Sequence, residues 1–120
     1  MSVFIDPDIK QITVCKNLKV FSVELHTGEF CDNKQNRKYE YEKLKKSAIF
    51  ATKNNLECHA GHGLSYVTVE KIAKINEITE LNIGHFIIGE AVFTSLKESI
   101  LKMRRIIDNS RKKNFYLKSA

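Results

Sequence analysis

The sequence predicts an α/β fold in which helices alternate with the strands of a parallel sheet. Short apolar runs of β-type alternate four times with runs whose apolar residues recur at three- and four-residue spacing. Each β-type run stops at a proline or a glycine, and polar side chains cluster at these ends. Such alternation is typical of βαβ units, whose strands run parallel. At 120 residues, with 42% hydrophobic and 28% charged residues, the chain has the size of one compact domain.

The first two predicted units extend over residues 2–54. Residues 2–6 predict a strand, and Pro7 is placed to open the next helix. That helix is expected to bury Ile9, Ile12 and Leu18. Residues 20–26 predict the second strand, residues 29–38 a polar loop and residues 39–54 a helix. By alternation, the second strand has one face with Phe21, Val23 and Leu25 and another with Val20, Ser22, Glu24 and His26. The helix is expected to bury Tyr41, Leu44, Ala48 and Ala51.

The last two units are shorter. Residues 56–61 predict the third strand and residues 67–75 a short helix. Residues 80–83 predict the fourth strand, and the last helix is expected to begin near Glu90. One face of that helix is expected to carry Val92, Leu96, Ile100, Met103 and Ile107.

The positions of the polar groups favour a (β/α)8 barrel over a doubly wound sheet. In or directly after the predicted strand ends lie Glu24, His26, His62, Asn82 and His85. A barrel assembles its active site at the carboxyl ends of its strands and takes about 250 residues. Four units are therefore half of a barrel. Because its outer strands would lack partners, a second chain or an N-terminal segment is expected to complete it.

The net charge of +6 is concentrated at the C-terminal end. Of 20 basic and 14 acidic residues, seven basic and one acidic residue (Asp108) lie from position 102 onward, which leaves 13 of each sign before it. The seven are Lys102, Arg104, Arg105, Arg111, Lys112, Lys113 and Lys118. Such a tail is usually solvated, and it lacks an aromatic platform or recognition motif. Nucleic-acid binding through it is therefore the weaker alternative.

The cysteine residues and the apolar stretches indicate in which cellular compartment the protein is expected and whether it is expected to bind a metal. Cys15, Cys31 and Cys58 are odd in number and widely spaced, which favours reduced intracellular thiols. Cys58, His59 and His62 resemble a zinc ligand set, but strand neighbours point to opposite faces, so a metal site is not favoured. No stretch approaches the about 20 apolar residues that span a bilayer, and no signal peptide is recognised. A cytoplasmic protein is expected.

Two glycine loops follow the third and fourth predicted strands. Residues 60–64 (AGHGL) place a histidine between glycines, and residues 82–89 (NIGHFIIG) repeat the design. Glycine lets the backbone approach a ligand and leaves amide N–H groups free for a phosphate. In a barrel, the loops after strands 7 and 8 commonly hold phosphate at a helix N-terminus. The alternative is a pair of plain turns, in which Gly84 and Gly89 only relieve backbone crowding.

Glu24 is the third candidate for a functional residue. A carboxylate on the polar face of an apolar strand must be hydrogen-bonded, paired with a cation or placed in a wet cavity, because burying it unpaired is costly. Glu24 is therefore either an active-site acid or a member of a structural ion pair, and the residue pattern leaves both open.

These segments resemble a known family. ELHTG (residues 24–28), HAGHGL (59–64) and ELNIGHFIIGEAVF (80–93) are similar to the corresponding blocks of pyridoxine 5′-phosphate synthases, in the same order and at similar spacing. SVFID, residues 2–6, resembles the fifth barrel strand of that family. The resemblance extends to about Ile107 and implies that the chain supplies strands 5 to 8 of a (β/α)8 barrel.

The resemblance also implies an activity and site residues. The family condenses 3-amino-2-oxopropyl phosphate with 1-deoxy-D-xylulose 5-phosphate to pyridoxine 5′-phosphate, phosphate and water, without a metal or organic cofactor. His62 matches its proton donor, a role that suits imidazole. Gly63, Gly84 and His85 match the site for the amino-ketone phosphate. Glu24 matches the residue that stabilises a transition state, where positive charge develops.

The chain departs from the family pattern in three ways. The general bases, a histidine and a glutamate, come from the first half of the family's barrel, as do the arginine and histidine that hold deoxyxylulose phosphate; none is located in this chain. His59 stands where many relatives are expected to have asparagine. Residues 29–37 differ from the usual small-residue loop. The 120-residue chain by itself is therefore expected to be inactive.

The sequence thus predicts a synthase half-barrel over residues 1–108 and a basic tail over residues 109–120. The expected partners are the two phosphorylated substrates and either further copies of the chain or a complementing N-terminal half, with no nucleic acid and no membrane. The alternative is a non-catalytic, phosphate-binding half-barrel whose copies pair and cover each other's sheet edges.

Overall fold

The computed structural model describes residues 1–119, and side chains up to Lys112. Its strands are β1 (Ser2–Ile5), β2 (Ser22–His26), β3 (Glu57–Gly61) and β4 (Ile78–Asn82). Its helices are α1 (Ile9–Asn17), α2 (Gly28–Asp32), α3 (Arg37–Lys53), α4 (Tyr66–Ala73), α5 (His85–Phe93) and α6 (Leu96–Ser119). The strands form one parallel sheet in the order β1-β2-β3-β4. The predicted α/β fold with a parallel sheet is confirmed.

The strand register sorts the sheet into two faces. The buried apolar face has two rows across the strands, Val3–Val23–Cys58–Ile78 and Ile5–Leu25–Ala60–Leu81. The opposite face has the rows Phe4–Glu24–His59–Glu80 and His26–Gly61–Asn82. Side chains alternate between faces along a strand, so the predicted separation of Val23 and Leu25 from Glu24 and His26 is confirmed.

The prediction for the second strand is wrong at its first two positions. Val20 is buried in the same core cluster as Val23, and Phe21 is 67% exposed. The physical reason is that β2 begins only at Ser22, so alternation does not extend back to these residues. A turn precedes them, in which Lys19 has a positive φ of 54°.

Helices α1 and α3 cover the apolar face. In α3, Leu44, Ala48 and Ala51 are buried and Tyr41 is partly buried, as predicted. In α1, Ile12 is buried as predicted, and it shares the buried side with Cys15. The prediction is wrong for Ile9 and Leu18, which are exposed. Helix α1 has nine residues and is capped by Asp8, so these two lie at and beyond its ends.

The predicted loop over residues 29–38 is wrong, because the short helix α2 extends to Asp32 and α3 begins at Arg37. Phe30 is buried in the hydrophobic core, so this segment packs against the core. The Arg37 guanidinium donates to the carbonyl oxygens of Phe30 at 2.9 Å and of Cys31 at 2.6 Å. A side chain from the next helix thus satisfies the carbonyl groups that the end of α2 leaves open.

The last predicted helix is two helices. Thr94 ends α5, and the Ser95 hydroxyl oxygen accepts from the Glu98 amide in the first turn of α6. Because the helix breaks at Thr94, the residues of the predicted apolar face do not all face the core. Met103 is buried and Ile107 partly buried, as predicted, and both pack in a second cluster that contains Val69 and Ile87. The prediction is wrong for residues that are exposed, namely Val92, Leu96 and Ile100.

Helix α6 runs without a break across the predicted boundary at residue 108. In this part of α6, the Arg111 guanidinium donates to the carbonyl of Ile78 at the start of β4. Lys113 and Lys118 of the predicted tail, like the tail's last residue, Ala120, lie outside the residues whose side chains are described. None of the helices within the described residues has an apolar stretch long enough to cross a bilayer.

Candidate active site

A cleft of about 580 Å³ lies at the carboxyl ends of β3 and β4. It is lined by two loops, one after each strand, by the first turn of α5 and by the acidic residue Asp32 at the end of α2. Four of the predicted site residues line it, namely His62, Gly63, Gly84 and His85. The fifth, Glu24, does not line the cleft but lies on the adjoining polar face of the sheet. Asn82, at the end of β4, lines the cleft between the two loops.

The loop after β3 holds an unusual backbone conformation. His62 has a φ of 83° and Gly63 a φ of 77°. The left-handed region is unfavourable for a residue with a Cβ, and such strain concentrates at functional sites. The buried Thr27 holds this loop, since its hydroxyl oxygen lies 2.8 Å from the Gly61 carbonyl oxygen and 2.5 Å from that of His62. The His62 side chain is thereby presented to the cleft on an exposed loop.

The imidazole of His62 rests against other rings. Its centroid lies 4.5 Å from that of the His26 ring and 6.5 Å from that of Phe4. His26 Nδ1 accepts a hydrogen bond of 3.0 Å from the Gly28 amide. A Cβ on Gly28 would overlap the His26 ring and lie 3.2 Å from His62 Cδ2, so position 28 has no room for a side chain. The three residues at the end of β2 therefore shape the surroundings of His62.

The loop after β4 leads directly into a helix. Gly84 is the N-cap of α5 and His85 its first residue, and no side chain caps this end. The free N–H groups and the dipole of a helix N-terminus favour an anion. Within residues 1–112, a Cβ on Gly84 or on Gly89 would meet no atom within 4 Å beyond its local backbone, so these residues give no support to relief of backbone crowding, the alternative explanation for these glycines.

The Glu24 carboxylate extends along the sheet toward the cleft. A Cβ built on Gly61 would overlap Glu24 Oε1, which places this carboxylate over the backbone of β3, one strand from Asn82. Among the residues whose side chains the structure describes, no lysine or arginine forms an ion pair with Glu24. The alternative of a structural ion pair thus finds no cation within residues 1–112.

The cysteine and histidine residues near β3 do not converge. Cys58 is buried in the core, and burial raises the pKa of its thiol to about 12. His59 lies on the opposite face with Nε2 at 3.0 Å from Glu57 Oε1, and this hydrogen bond lowers the pKa of the Glu57 carboxyl. Over the described part of the chain, no three histidine, cysteine or acidic residues are grouped so as to hold a metal ion.

Two residues that contact His62, namely His26 and Thr27, are not among the predicted site residues, although the sequence places His26 with the polar residues at the strand ends. His26 was placed on the face of Glu24 by alternation, but its contact with His62 depends on the pairing of β2 with β3. In the sequence, Thr27 is only part of the turn that ends the second predicted strand, whereas in the structure it is fully buried and holds the His62 backbone. The signal that could have found them is a histidine close to a glycine at the end of a strand, a combination that the other two loops also contain.

Fold and cleft define an α/β protein with a cleft at the carboxyl ends of parallel strands. Residues 1–109 match a family model described as "Pyridoxal phosphate biosynthesis protein PdxJ". The chain belongs to this family.

Curated relatives include proteins named pyridoxine 5′-phosphate synthase. The one from Rhodospirillum rubrum is 46% identical over 110 residues, which cover 90% of this chain and 44% of the relative. The one from Sulfurihydrogenibium sp. is 48% identical, covering 93% of this chain and 46% of the relative. The one from Pelagibacter ubique is also 48% identical, covering 88% and 45%. The chain thus spans less than half the length of these relatives.

Proposed function

We propose that this chain is the C-terminal half of a (β/α)8 barrel and supplies half of the active site of a pyridoxine 5′-phosphate synthase. The reaction is the condensation of 3-amino-2-oxopropyl phosphate with 1-deoxy-D-xylulose 5-phosphate to pyridoxine 5′-phosphate, phosphate and water. Family membership and the names of the relatives support the activity. The parallel strands in sequential order support the barrel, since a barrel arranges its strands in this way.

The observation that carries the proposal is the convergence of His62, Gly63, Gly84 and His85 on one cleft. They come from two loops that are separated by a helix and a strand, and no local pattern requires them to meet. His62 donates the proton, because an imidazole exchanges protons near neutral pH and this one is exposed in the cleft. The amide groups around Gly63 and Gly84, at the N-terminus of α5, bind the phosphate of the amino-ketone.

Glu24 acts on the same substrate from the sheet. Its carboxylate lies over Gly61, on the strand that leads to His62. Positive charge develops when an amine condenses with a ketone, and a fixed carboxylate stabilises that charge most where water is excluded. The other half of the barrel would exclude water from this face by covering it.

The general bases and the second phosphate site come from a complementing N-terminal half. Edge strands β1 and β4 each pair on one side within the described residues, which leaves backbone groups for that half to bind. The division into a half-barrel over residues 1–108 and a basic tail, the assembly into oligomers and a location in the cytoplasm are part of this proposal. The three cysteines are free, as this location requires.

The test is complementation. The part of the Rhodospirillum rubrum relative that this chain does not match is purified and mixed with the chain and both substrates, and pyridoxine 5′-phosphate formation is followed. Turnover is expected only in the mixture. His62→Ala should abolish it, whereas Thr13→Val, on the exposed side of α1, should leave it unchanged. Turnover by the chain alone, or none in a mixture shown to form a complex, would refute the proposal.

A second candidate is a phosphate-binding half-barrel without catalysis. The exposed apolar side chains of α5 and α6, Ile88, Val92, Phe93 and Leu96, favour it, because paired copies could cover them. Dimers that bind inorganic phosphate but form no product with any N-terminal half would establish it.

A further inference from the structure

We infer that His26 is a positioning residue for His62. The ring of His26 sets the orientation of the His62 imidazole, while its neighbour Thr27 holds the His62 backbone. The chemical consequence rests on the proposed function, in which His62 donates a proton. The structural claim does not depend on turnover and can be tested on the chain itself.

The rings of His26 and His62 are in contact. Their centroids lie 4.5 Å apart with an interplanar angle of 35°. Phe4 packs on His26 at 5.0 Å and so holds the His26 ring in its place. The His62 ring stands on an exposed loop, where an unsupported side chain would sample several rotamers. Because catalysis depends on the orientation of the reacting group, a ring that restricts these rotamers affects the rate.

A hydrogen bond from the backbone determines which nitrogen of His26 carries a proton. Its Nδ1 accepts the hydrogen bond from the Gly28 amide, and a nitrogen that accepts carries no proton. While this bond persists, His26 is neutral, with its proton on Nε2. A cationic ring beside His62 would oppose the charge that His62 carries before it donates its proton. The Gly28 amide therefore keeps the supporting ring compatible with a proton donor.

Thr27 and Gly28, the two residues after His26, also contribute to the position of His62. Thr27 is fully buried, and its hydroxyl contacts the His62 carbonyl oxygen at 2.5 Å, which holds the backbone at a φ of 83°. Gly28 leaves the space that both rings occupy, since a Cβ there would lie 3.2 Å from His62 Cδ2. Three consecutive residues thus position His62. His26 contacts its ring, Thr27 holds its backbone, and Gly28 has no side chain that would occupy the space of the two rings.

The first experiment is NMR on the full 120-residue chain with ¹⁵N- and ¹³C-labelled histidine. The expected spectrum shows His26 protonated at Nε2 only and cross-relaxation between the His26 and His62 rings. His26→Asn keeps an acceptor for the Gly28 amide, since Asn bonds the N–H two residues on, but removes the ring. It should shift the His62 ring signals and increase their motion. His59→Gln, on the same face but bonded to Glu57, is the matched control.

The second experiment measures kcat and KM in the complemented enzyme. His26→Asn is expected to lower kcat roughly tenfold without raising KM, since the phosphate-binding amides are untouched. His26→Phe should recover most of the lost kcat, because it restores a ring. Unchanged His62 signals in His26→Asn, or a His26→Phe enzyme as slow as His26→Asn, would overturn the inference. Absence of turnover with the unchanged chain would refute the proposed function instead and leave the NMR result standing.

Discussion

The Glu24 carboxylate occupies space that a side chain at position 61 would fill. A Cβ on Gly61 would overlap Glu24 Oε1 and lie 3.0 Å from the Asn82 carbonyl oxygen. The backbone of Gly61 does not have a positive φ, so the demand for glycine comes from its neighbours and not from its own conformation. At the scale of single residues, the absence of a side chain on Gly61 therefore leaves the space that the Glu24 carboxylate occupies.

Gly61→Ala is expected to lower the free energy of unfolding by about 1–3 kcal/mol, as insertion of a methyl group into a packed site does. Glu24→Ala removes the main overlap, so the double variant should lose less than the sum of the single losses. Urea unfolding measures all three. Gly89→Ala is the control, because a Cβ there meets open space inside a helix and should stabilise by up to about 1 kcal/mol. Strict additivity would contradict the assigned overlap.

Cys58 predicts a pH dependence of stability. Its pKa rises from 9.0 to about 12 on folding, because burial penalises the thiolate. The folded chain then binds this proton more tightly than the unfolded chain. The contribution is fully present below about pH 9 and is lost as the pH rises toward 12.

Stability should therefore fall more steeply between pH 8 and pH 10 in a Cys31→Ala chain than in a Cys31→Ala/Cys58→Ala chain. Removing Cys31 from both is necessary because partial burial raises the pKa of its thiol as well. Urea unfolding at the two pH values gives the two slopes. Equal slopes would mean that Cys58 is not buried as the structure describes.

At the scale of elements, the cap of α4 links the cleft loop to its helix. The Thr68 hydroxyl accepts from the Ser65 amide at 2.8 Å, and the Ser65 hydroxyl accepts from the Thr68 amide at 3.4 Å. This reciprocal capping box satisfies amide groups that the helix leaves open. Since Leu64 is buried just before it, the cap also sets where the loop that carries His62 must end.

Ser65→Ala is expected to lower the free energy of unfolding by about 1 kcal/mol, the usual effect of losing an N-cap. Thermal or urea unfolding measures the loss, with Ser2→Ala as the control, because Ser2 is exposed at the start of β1. If the two variants unfold alike, the capping box does not stabilise α4.

At the scale of the whole molecule, the sheet has a protected centre and two open edges. Strands β2 and β3 pair on both sides, whereas β1 and β4 each pair on one side within the described residues. Amide hydrogen exchange on the chain alone should therefore be slowest in β2 and β3. Addition of the N-terminal half from a relative should slow exchange in β1 and β4. Unchanged exchange at both edges in a formed complex would contradict closure of the sheet into a barrel.

The sequence by itself determined that four parallel strands alternate with helices, and it also determined the two faces of β2 and the residues of the two glycine loops. These features are local, because side-chain period and turn chemistry depend on residues a few positions apart. Leu44 and Ala48 on α3, or Val23 opposite Glu24, could be assigned without knowing what they touch. The resemblance of the strand-end segments to a family then indicated which loops belong together.

Only the tertiary structure decided the remaining features, because they depend on contacts between distant residues. Helix α2 forms in a polar segment since Phe30 is buried and Arg37 binds its last carbonyl groups. The break at Thr94 turns Val92 and Ile100 outward, although their spacing suits a buried face. The contact of His26 with His62 joins residues 36 positions apart. It arises from the register of β2 on β3, which no local pattern encodes.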